Sequence, residues 1–221
     1  MTGHELVVLP DEDALAARAA AWVADLARTT VAARGRFTFA VSGGKTPWAM
    51  FATLTQSEDV PWPSVEVFQV DERVAPEGDD ARNLTHLHAA LSAVPAVVHP
   101  MPVNAPDLNG AAAAYGRELP ARVDLVHLGL GPDGHTASLV PGDPVLQVTD
   151  ELVAVTQPYQ GHRRMTLTYP ALGRAEQLLW LVGGAEKREA LAKLLAGDPS
   201  IPAGRVTAPK STVMADAAAA R

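Results

Sequence analysis

The sequence predicts an α/β fold in which a mainly parallel open sheet carries helices on both faces. Short β-rich runs alternate with alanine-rich helical stretches along the whole chain, a pattern typical of βαβ crossovers. The 221 residues suit one domain, and we expect residues 1–221 to form it, because no linker of disordered composition divides them. At this length folding buries about 70–75% of the unfolded surface, so no disulfide or metal is needed for stability.

Apolar periodicity and helix-capping residues justify the individual elements in chain order. Asp11 precedes two acidic residues and can cap the first helix, and Gly35 can end it. Pro47 suits the first position of the second helix, which follows a loop at residues 42–46. Further helices are expected at residues 83–91, 108–119 and 186–195 and in the alanine-rich tail. Strands are expected at residues 6–9, 37–41, 65–70, 124–130, 151–155, 164–168, 177–182 and 210–214.

Composition excludes several classes of protein. Lysine and arginine number 18 and aspartate and glutamate 25, so the net charge of −7 offers no basic surface for nucleic acid. With no cysteine, the chain has no disulfide scaffold, thiolate nucleophile or cysteine-bound metal. The segment MTGHELVVLPDED lacks the regions of a signal peptide, and no apolar stretch reaches the length of a membrane span. We therefore expect a cytoplasmic protein with neither nucleic-acid nor membrane partners.

Polar segments, two of them rich in glycine, follow three of the predicted strands. They are residues 42–46, 71–73 and 131–135. Because ligands of open α/β sheets bind beyond the carboxyl ends of the strands, we expect the three segments to meet in one crevice. The alternative is three ordinary surface turns, but their joint occurrence after strong strands favours a site.

Two glycine motifs resemble nucleotide-binding loops without the required context. GLGPDG at residues 129–134 matches G-x-G-x-x-G, yet Pro132 lies in the turn and Pro141 stops any long helix after it. GKT at residues 44–46 resembles the end of a P-loop, whose first glycine would fall on Phe39. A Ser-Gly-Gly turn before a helix still presents free backbone N–H groups that can bind a phosphate. The alternative is a turn of purely structural use.

His135 carries the strongest catalytic signal among the histidines. Asp133 lies two residues before it in a tight turn, where a carboxylate can fix the imidazole tautomer. An Asx-turn beside an incidental histidine is the alternative. His86 and His88 would point to different faces of a helix, and His127 lies in an apolar strand, where a hydrogen-bonded buried histidine is expected.

The segment LGLGPDGHTASLVPG at residues 128–142 resembles the signature of the 6-phosphogluconolactonase family. The resemblance spans essentially the whole chain and implies a Rossmann-like fold, similar to that of glucosamine-6-phosphate deaminase. It implies hydrolysis of 6-phospho-D-glucono-1,5-lactone to 6-phospho-D-gluconate in the oxidative pentose phosphate pathway. Further segments follow in the order that the family shows, namely SGG-x-TP at 42–47, DER at 71–73, Asn83, R-x-TLT at 164–168 and G-x-x-K at 184–187.

The resemblance also implies how the reaction is catalysed. His135 acts as general base and then as general acid, and Asp133 orients it. Arg73 and backbone N–H groups of residues 131–135 are candidates for stabilising the oxyanion. This chemistry requires no metal, cofactor or covalent intermediate, and we expect a monomer whose partner is the small-molecule sugar-phosphate lactone.

The substrate phosphate requires a locally positive site. Arg164 and Lys187 are the cations that the resemblance places there, and the choice of Arg164 over Arg163 follows from the motif register. Lys45 departs from the family pattern and either assists the phosphate or points outward. The residues expected to bind substrate are Ser42, Gly43, Gly44, Lys45, Thr46, Asp71, Asn83, Gly134, Arg164 and Lys187.

Two positions separate this chain from the related deaminases. After the Asp-Gly-His loop the deaminases carry Glu-Pro-Gly, and this chain has Val140 in place of the glutamate. Where the deaminases carry Asp-Glu-Tyr, this chain has Arg73 in place of the tyrosine. Both differences favour the lactonase. The alternatives are a sugar-phosphate isomerase or deaminase of the same fold, and a non-catalytic sugar-phosphate-binding protein.

Overall fold

The computed structural model describes residues 3–221, which contain ten strands and seven α-helices. Met1 and Thr2, part of the segment inspected for a signal peptide, lie outside the described residues. The strands are β1 (Glu5–Leu9), β2 (Phe37–Val41), β3 (Val65–Gln69), β4 (Asp71–Arg73), β5 (Val97–His99), β6 (Leu125–Gly129), β7 (Val153–Val155), β8 (Arg164–Leu167), β9 (Gln177–Val182) and β10 (Lys210–Asp216). The helices are α1 (Glu12–Arg34), α2 (Lys45–Leu54), α3 (Asn83–Leu91), α4 (Leu108–Glu118), α5 (Tyr169–Leu172), α6 (Arg188–Leu195) and α7 (Ala217–Ala220).

Seven strands form a wholly parallel sheet in the order β1-β10-β9-β6-β2-β3-β5. Parallel neighbours need crossover connections, and α2 supplies one between β2 and β3 while α6 supplies one between β9 and β10. The predicted α/β fold with a mainly parallel sheet is therefore confirmed. A second sheet, which the sequence did not predict, joins β4, β8 and β7 in antiparallel fashion.

The parallel sheet is buried on both faces. Side chains of consecutive strand residues point to opposite faces, and Leu125 and Val126 of β6 accordingly belong to separate apolar clusters. Leu179 and Trp180 of β9 divide in the same way. Helices α1, α2 and α3 pack on one face, whereas α4 and α6 pack on the other. Burial on both faces explains why the sequences of these strands are nearly continuous apolar runs.

The capping residues of α1 are as predicted, but α2 begins earlier than expected. The Asp11 side chain accepts the Ala14 N–H, and Gly35 ends α1 with a φ of 79°, in the left-handed region. Helix α2 begins at Lys45 after Gly44, so Pro47 occupies the third helical position rather than the first. The expected loop at residues 42–46 therefore ends at Gly44, and its last two residues are helical.

The expected strand at residues 65–70 and the polar segment after it also differ from prediction. Val70 donates its N–H to Val41 in the parallel sheet, and its carbonyl accepts the N–H of Leu167 in the second sheet. The chain thus leaves one sheet for the other at Val70. Asp71–Arg73 is consequently a strand paired with β8, not a loop.

Other boundaries shift by smaller amounts. The predicted helix at residues 186–195 begins as a 3-10 turn, Ala185–Lys187, and the last strand extends to Asp216. Strand β5 and helix α5 were not predicted, since three or four residues leave no detectable period. Within the described range 3–221, no helix is both long and apolar enough to cross a membrane.

Candidate active site

The carboxyl ends of β2, β6 and β9 open into a cleft of about 820 Å³, which the second sheet borders. This size lies within the range of small-molecule sites. The three predicted segments meet there, as expected from the sheet topology. Among the predicted site residues, those that line the cleft are Ser42, Gly43, Gly44, Lys45, Thr46, Asp71, Arg73, Asn83, His135, Arg164 and Lys187. Asp133 is exposed and does not line the cleft, but it contacts His135.

Asp133 and His135 form a close pair in the turn after β6. The Nδ1 atom of His135 lies 2.6 Å from Oδ1 of Asp133, and the same oxygen accepts the backbone N–H of His135 at 3.1 Å. Partial burial acts to raise the pKa of Asp133, but the hydrogen bonds from His135 and its charge hold that pKa below its usual range. An ionised Asp133 fixes Nδ1 as the protonated nitrogen, so Nε2 of His135 is left to accept a proton.

The glycine at position 131 allows this turn to be tight. A Cβ there would overlap the His135 imidazole and crowd Asp133. The backbone N–H groups of the turn are already used, however. The Gly131 N–H donates to the His135 carbonyl, the Gly134 N–H donates to the Gly131 carbonyl, and that of His135 is held by Asp133. These three N–H groups are engaged within the turn, and their contribution to an oxyanion stays a prediction.

Gly134 does not line the cleft, contrary to its predicted substrate contact. Its φ is 81°, which favours glycine, and a Cβ at this position would overlap Ile201 on the far side of the turn. Its carbonyl accepts the N–H of Ala203. Gly134 therefore shapes the turn and anchors it to the residues that precede β10.

Strand β4 holds the polar residues at the floor of the cleft. Burial raises the pKa of Asp71, whose carboxylate accepts the Ser138 hydroxyl at 2.7 Å. Asn83 donates its amide to the Asp71 carbonyl at 3.0 Å, and its Oδ1 accepts from Arg73 at 3.3 Å. A Cβ at Gly43 would overlap the Asn83 carboxamide, so this glycine lets the two segments meet.

Arg73 and Arg164 lie directly opposite each other on β4 and β8, and both line the cleft. Burial lowers the pKa of Arg164, and the charge of Arg73 lowers it further. Like charges at paired positions of adjacent strands repel each other, and an anion bound between them would relieve the repulsion. Arg163 is exposed, and its Nε donates to the Thr156 carbonyl, outside the cleft.

The N-terminus of α2 is open to the cleft. No side chain caps it, and the preceding Gly44 has a φ of 131°. Free backbone N–H groups at a helix N-terminus, together with the helix dipole, attract anions. Lys187 faces the same space and has no ion-pair partner in the part of the chain that the structure describes. Lys45 is instead exposed and lies 2.6 Å from the Glu12 carboxylate, which raises the pKa of Lys45.

Sequence reasoning missed two residues that organise the site. Glu72 is fully buried and accepts the backbone N–H groups of Asn83 and Leu84 at 2.8 Å, which places α3 against β4. Its position in the Asp-Glu-Arg segment was the available signal. Tyr159 contacts both Asp133 and Arg164 from a turn that had no distinguishing pattern.

Three other histidines differ from His135 in their surroundings. His127 is fully buried, and its Nδ1 accepts the Ser42 N–H at 3.3 Å, but its Nε2 has no hydrogen-bond partner among residues 3–221. The expectation of a fully hydrogen-bonded histidine is therefore half correct. Burial lowers the pKa of His127 to about 3, so the ring is neutral at physiological pH. His86 and His88 are exposed on α3, and His86 lines the cleft whereas His88 does not.

Neither nucleotide motif has the surroundings that a nucleotide site requires. The segment after β6 is a turn rather than a helix, and Phe39 lies inside β2. Within the described part of the chain, no three histidine or carboxylate side chains converge in a way that could hold a metal ion.

Comparison with known proteins identifies close relatives. A family model described as "Glucosamine-6-phosphate isomerases/6-phosphogluconolactonase" matches residues 10–215. A 6-phosphogluconolactonase of Nostoc sp. is 38% identical over 204 residues, which cover 86% of this chain and 84% of the relative. The crystal structure of a 6-phosphogluconolactonase from Shewanella baltica superimposes with a TM-score of 0.87 at 26% identity, covering 97% of this chain and 98% of the other. A monomeric glucosamine-6-phosphate deaminase, 20% identical, has a TM-score of 0.86 with 98% of each chain covered and shows the fold alone.

Proposed function

Because the chain belongs to the family of glucosamine-6-phosphate isomerases and 6-phosphogluconolactonases, we propose that it hydrolyses 6-phospho-D-glucono-1,5-lactone to 6-phospho-D-gluconate. Its relatives make it an enzyme of the lactonase type. The observation that carries the proposal is the hydrogen-bonded pair of Asp133 and His135 beside a cleft lined by cationic side chains. The proposal takes residues 1–221 as one monomeric domain that acts in the cytoplasm.

His135 provides the proton transfers in this mechanism. Its Nε2 accepts a proton from water as the water oxygen bonds to the lactone carbonyl carbon, which creates a tetrahedral oxyanion. The bond between that carbon and the ring oxygen then breaks, and the imidazolium returns its proton to the ring oxygen. Asp133 keeps the ring oriented and stabilises the transient imidazolium. No step requires a metal or a cofactor.

Arg73 supports the proposal as the stabiliser of the oxyanion. It lines the cleft, and its guanidinium is held by the Ala81 carbonyl at 2.9 Å and by Asn83. A donor that is fixed before the reaction contributes more to transition-state stabilisation than one that must be oriented during it. Asp71 and Asn83 remain available for sugar hydroxyls.

The phosphate of the substrate fits the positive part of the cleft. Arg164 can bind it in bidentate fashion, Lys187 adds a charge, and the residues from Ser42 to Thr46 offer the N-terminus of α2. Lys45 is engaged with Glu12, so we assign it no direct phosphate contact.

Deaminase activity is the second candidate, because both activities occur in this family on one fold. Amine loss requires ring opening and a proton transfer between carbons, and hence a second titratable group. Val140 lines the cleft and is 9% exposed, but its side chain moves no proton. This position therefore favours ester hydrolysis.

Freshly prepared 6-phosphogluconolactone, corrected for spontaneous hydrolysis, tests the proposal against this alternative. We expect enzymatic hydrolysis of the lactone in the presence of a metal chelator, and no ammonia release from glucosamine 6-phosphate above a blank without enzyme. Ammonia production by the unmodified protein, or the absence of lactone hydrolysis, would overturn the assignment.

A further inference from the structure

Tyr159 lies in a short turn between β7 and β8 of the second sheet. Tyr159 and His162 exchange backbone hydrogen bonds of 2.9 and 3.3 Å across the turn. Gln160 and Gly161 between them have φ values of 49° and 84°, the left-handed pair typical of a tight two-residue hairpin turn. A non-glycine residue in this region is held there by its surroundings, so the turn has a defined position over the cleft.

The side chain of Tyr159 contacts the pair that the proposed mechanism uses. Its hydroxyl lies 3.5 Å from Oδ2 of Asp133, the carboxylate oxygen that His135 does not occupy. Its ring packs edge-on against the His135 imidazole, with centroids 5.8 Å apart. Partial burial and the charge of Asp133 raise the pKa of Tyr159. The hydroxyl therefore stays protonated and donates a hydrogen bond to the carboxylate.

The same residue also holds Arg164. The Arg164 guanidinium lies over the Tyr159 ring, 4.9 Å from its centroid, and Nη1 donates to the Tyr159 carbonyl at 2.7 Å. A guanidinium over an aromatic face is stabilised by the ring quadrupole. Tyr159 is therefore the residue that touches both the catalytic pair and the candidate phosphate cation.

We propose that Tyr159 is a positioning residue that sets His135, through Asp133, and Arg164 in one fixed arrangement. Its hydroxyl and its ring have separate roles. The hydroxyl prevents the Asp133 carboxylate from rotating away from His135, which affects catalysis on any lactone. The ring face supports Arg164, which affects the phosphorylated lactone alone. This inference rests on the proposed function.

Two substitutions separate the two contributions. Tyr159→Phe removes the hydroxyl and keeps the ring, so kcat should fall about threefold to tenfold on both 6-phosphogluconolactone and unphosphorylated gluconolactone, with KM unchanged. Tyr159→Leu removes the hydroxyl and the aromatic ring. Besides the fall in kcat, the KM for the phosphorylated lactone alone should therefore rise about threefold to tenfold. The backbone carbonyl that binds Arg164 stays in both variants.

Tyr169→Phe is the matched control. Tyr169 also carries an arginine over its ring, Arg205 at 4.5 Å, and its hydroxyl donates to the Pro202 carbonyl, but it lies outside the cleft lining. The Tyr169→Phe variant should hydrolyse both lactones as the wild type does. Full activity of Tyr159→Phe, or an equal extra loss on both lactones for Tyr159→Leu, would overturn the inference. Neither result changes the proposed function, which fails if the unmodified protein hydrolyses no lactone or releases ammonia from glucosamine 6-phosphate.

Discussion

Arg163 and Arg164 are neighbours in the chain whose side chains have opposite surroundings. Arg164 is 4% exposed, faces the cleft and lies opposite Arg73, whereas Arg163 is exposed and outside the cleft. Alternation along a β-strand explains the difference, because consecutive side chains point to opposite faces. The charge of the partly buried Arg73 at the paired position lowers the pKa of the buried Arg164, so an anionic group beside Arg164 relieves the repulsion. This is the physical reason to assign Arg164 to the phosphate.

Arg164→Ala should therefore act selectively. We expect kcat/KM for 6-phosphogluconolactone to fall about tenfold to a hundredfold, the usual effect of losing a charge-assisted hydrogen bond, because this variant removes a phosphate contact. The slow hydrolysis of unphosphorylated gluconolactone should change little. Steady-state kinetics on both lactones measure the effect.

Arg163→Ala is the matched control for this test, and both its values should equal those of the wild type. Equal losses on the two lactones for Arg164→Ala would mean that this residue serves the reaction or the fold rather than the phosphate.

At the scale of elements, Glu72 connects β4 to α3. Its buried carboxylate accepts the first N–H groups of α3 and the side-chain amide of Gln69, and it lies 3.4 Å from Nε of the buried Arg82. A helix N-terminus leaves N–H groups unpaired, and a buried carboxylate satisfies them with the favourable dipole orientation. This contact fixes Asn83, and through Asn83 it fixes Arg73.

Glu72→Ala should lower the free energy of unfolding by about 3–5 kcal/mol, because it leaves Arg82 without its buried counter-charge and uncaps α3. Urea denaturation measures this loss. Glu176→Ala breaks the largely exposed ion pair with Arg122 and should cost at most about 1 kcal/mol. Similar losses for the two variants would show that Glu72 is not a structural link between the elements.

The elements that the sequence predicted well are those whose signal is local. Capping at Asp11 and Gly35 and the apolar runs of β2, β6 and β9 depend on neighbouring residues only. The passage of the chain from one sheet to the other at Val70 depends on partners at Val41 and Leu167, far away in sequence. No local pattern distinguishes that passage from one long strand, so the second sheet could not be predicted.

At the scale of the molecule, the position of the cleft was predictable and its details were not. Parallel strands place their carboxyl ends at one edge, so the three polar segments had to converge there. The contacts of Tyr159 and Glu72 arise from the second sheet and from α3, and they required the structure. The same folding gathers Arg73, Arg164 and Lys187 in one cleft of a chain of net charge −7, where they offer three cations to an anionic substrate. The carboxylates that also line the cleft are those of Glu12, Asp71, Asp80 and Glu186.

The turnover of freshly prepared 6-phosphogluconolactone by His135→Ala, with spontaneous hydrolysis subtracted, tests directly whether His135 carries the proton transfers of lactone hydrolysis. We expect a loss of kcat of about two to four orders of magnitude, the usual contribution of general acid–base catalysis, with an unchanged urea midpoint. His88→Ala, an exposed histidine of α3 outside the cleft lining, should retain wild-type turnover. Near-full activity of a folded His135→Ala variant would show that His135 does not transfer the protons and would remove it from the mechanism.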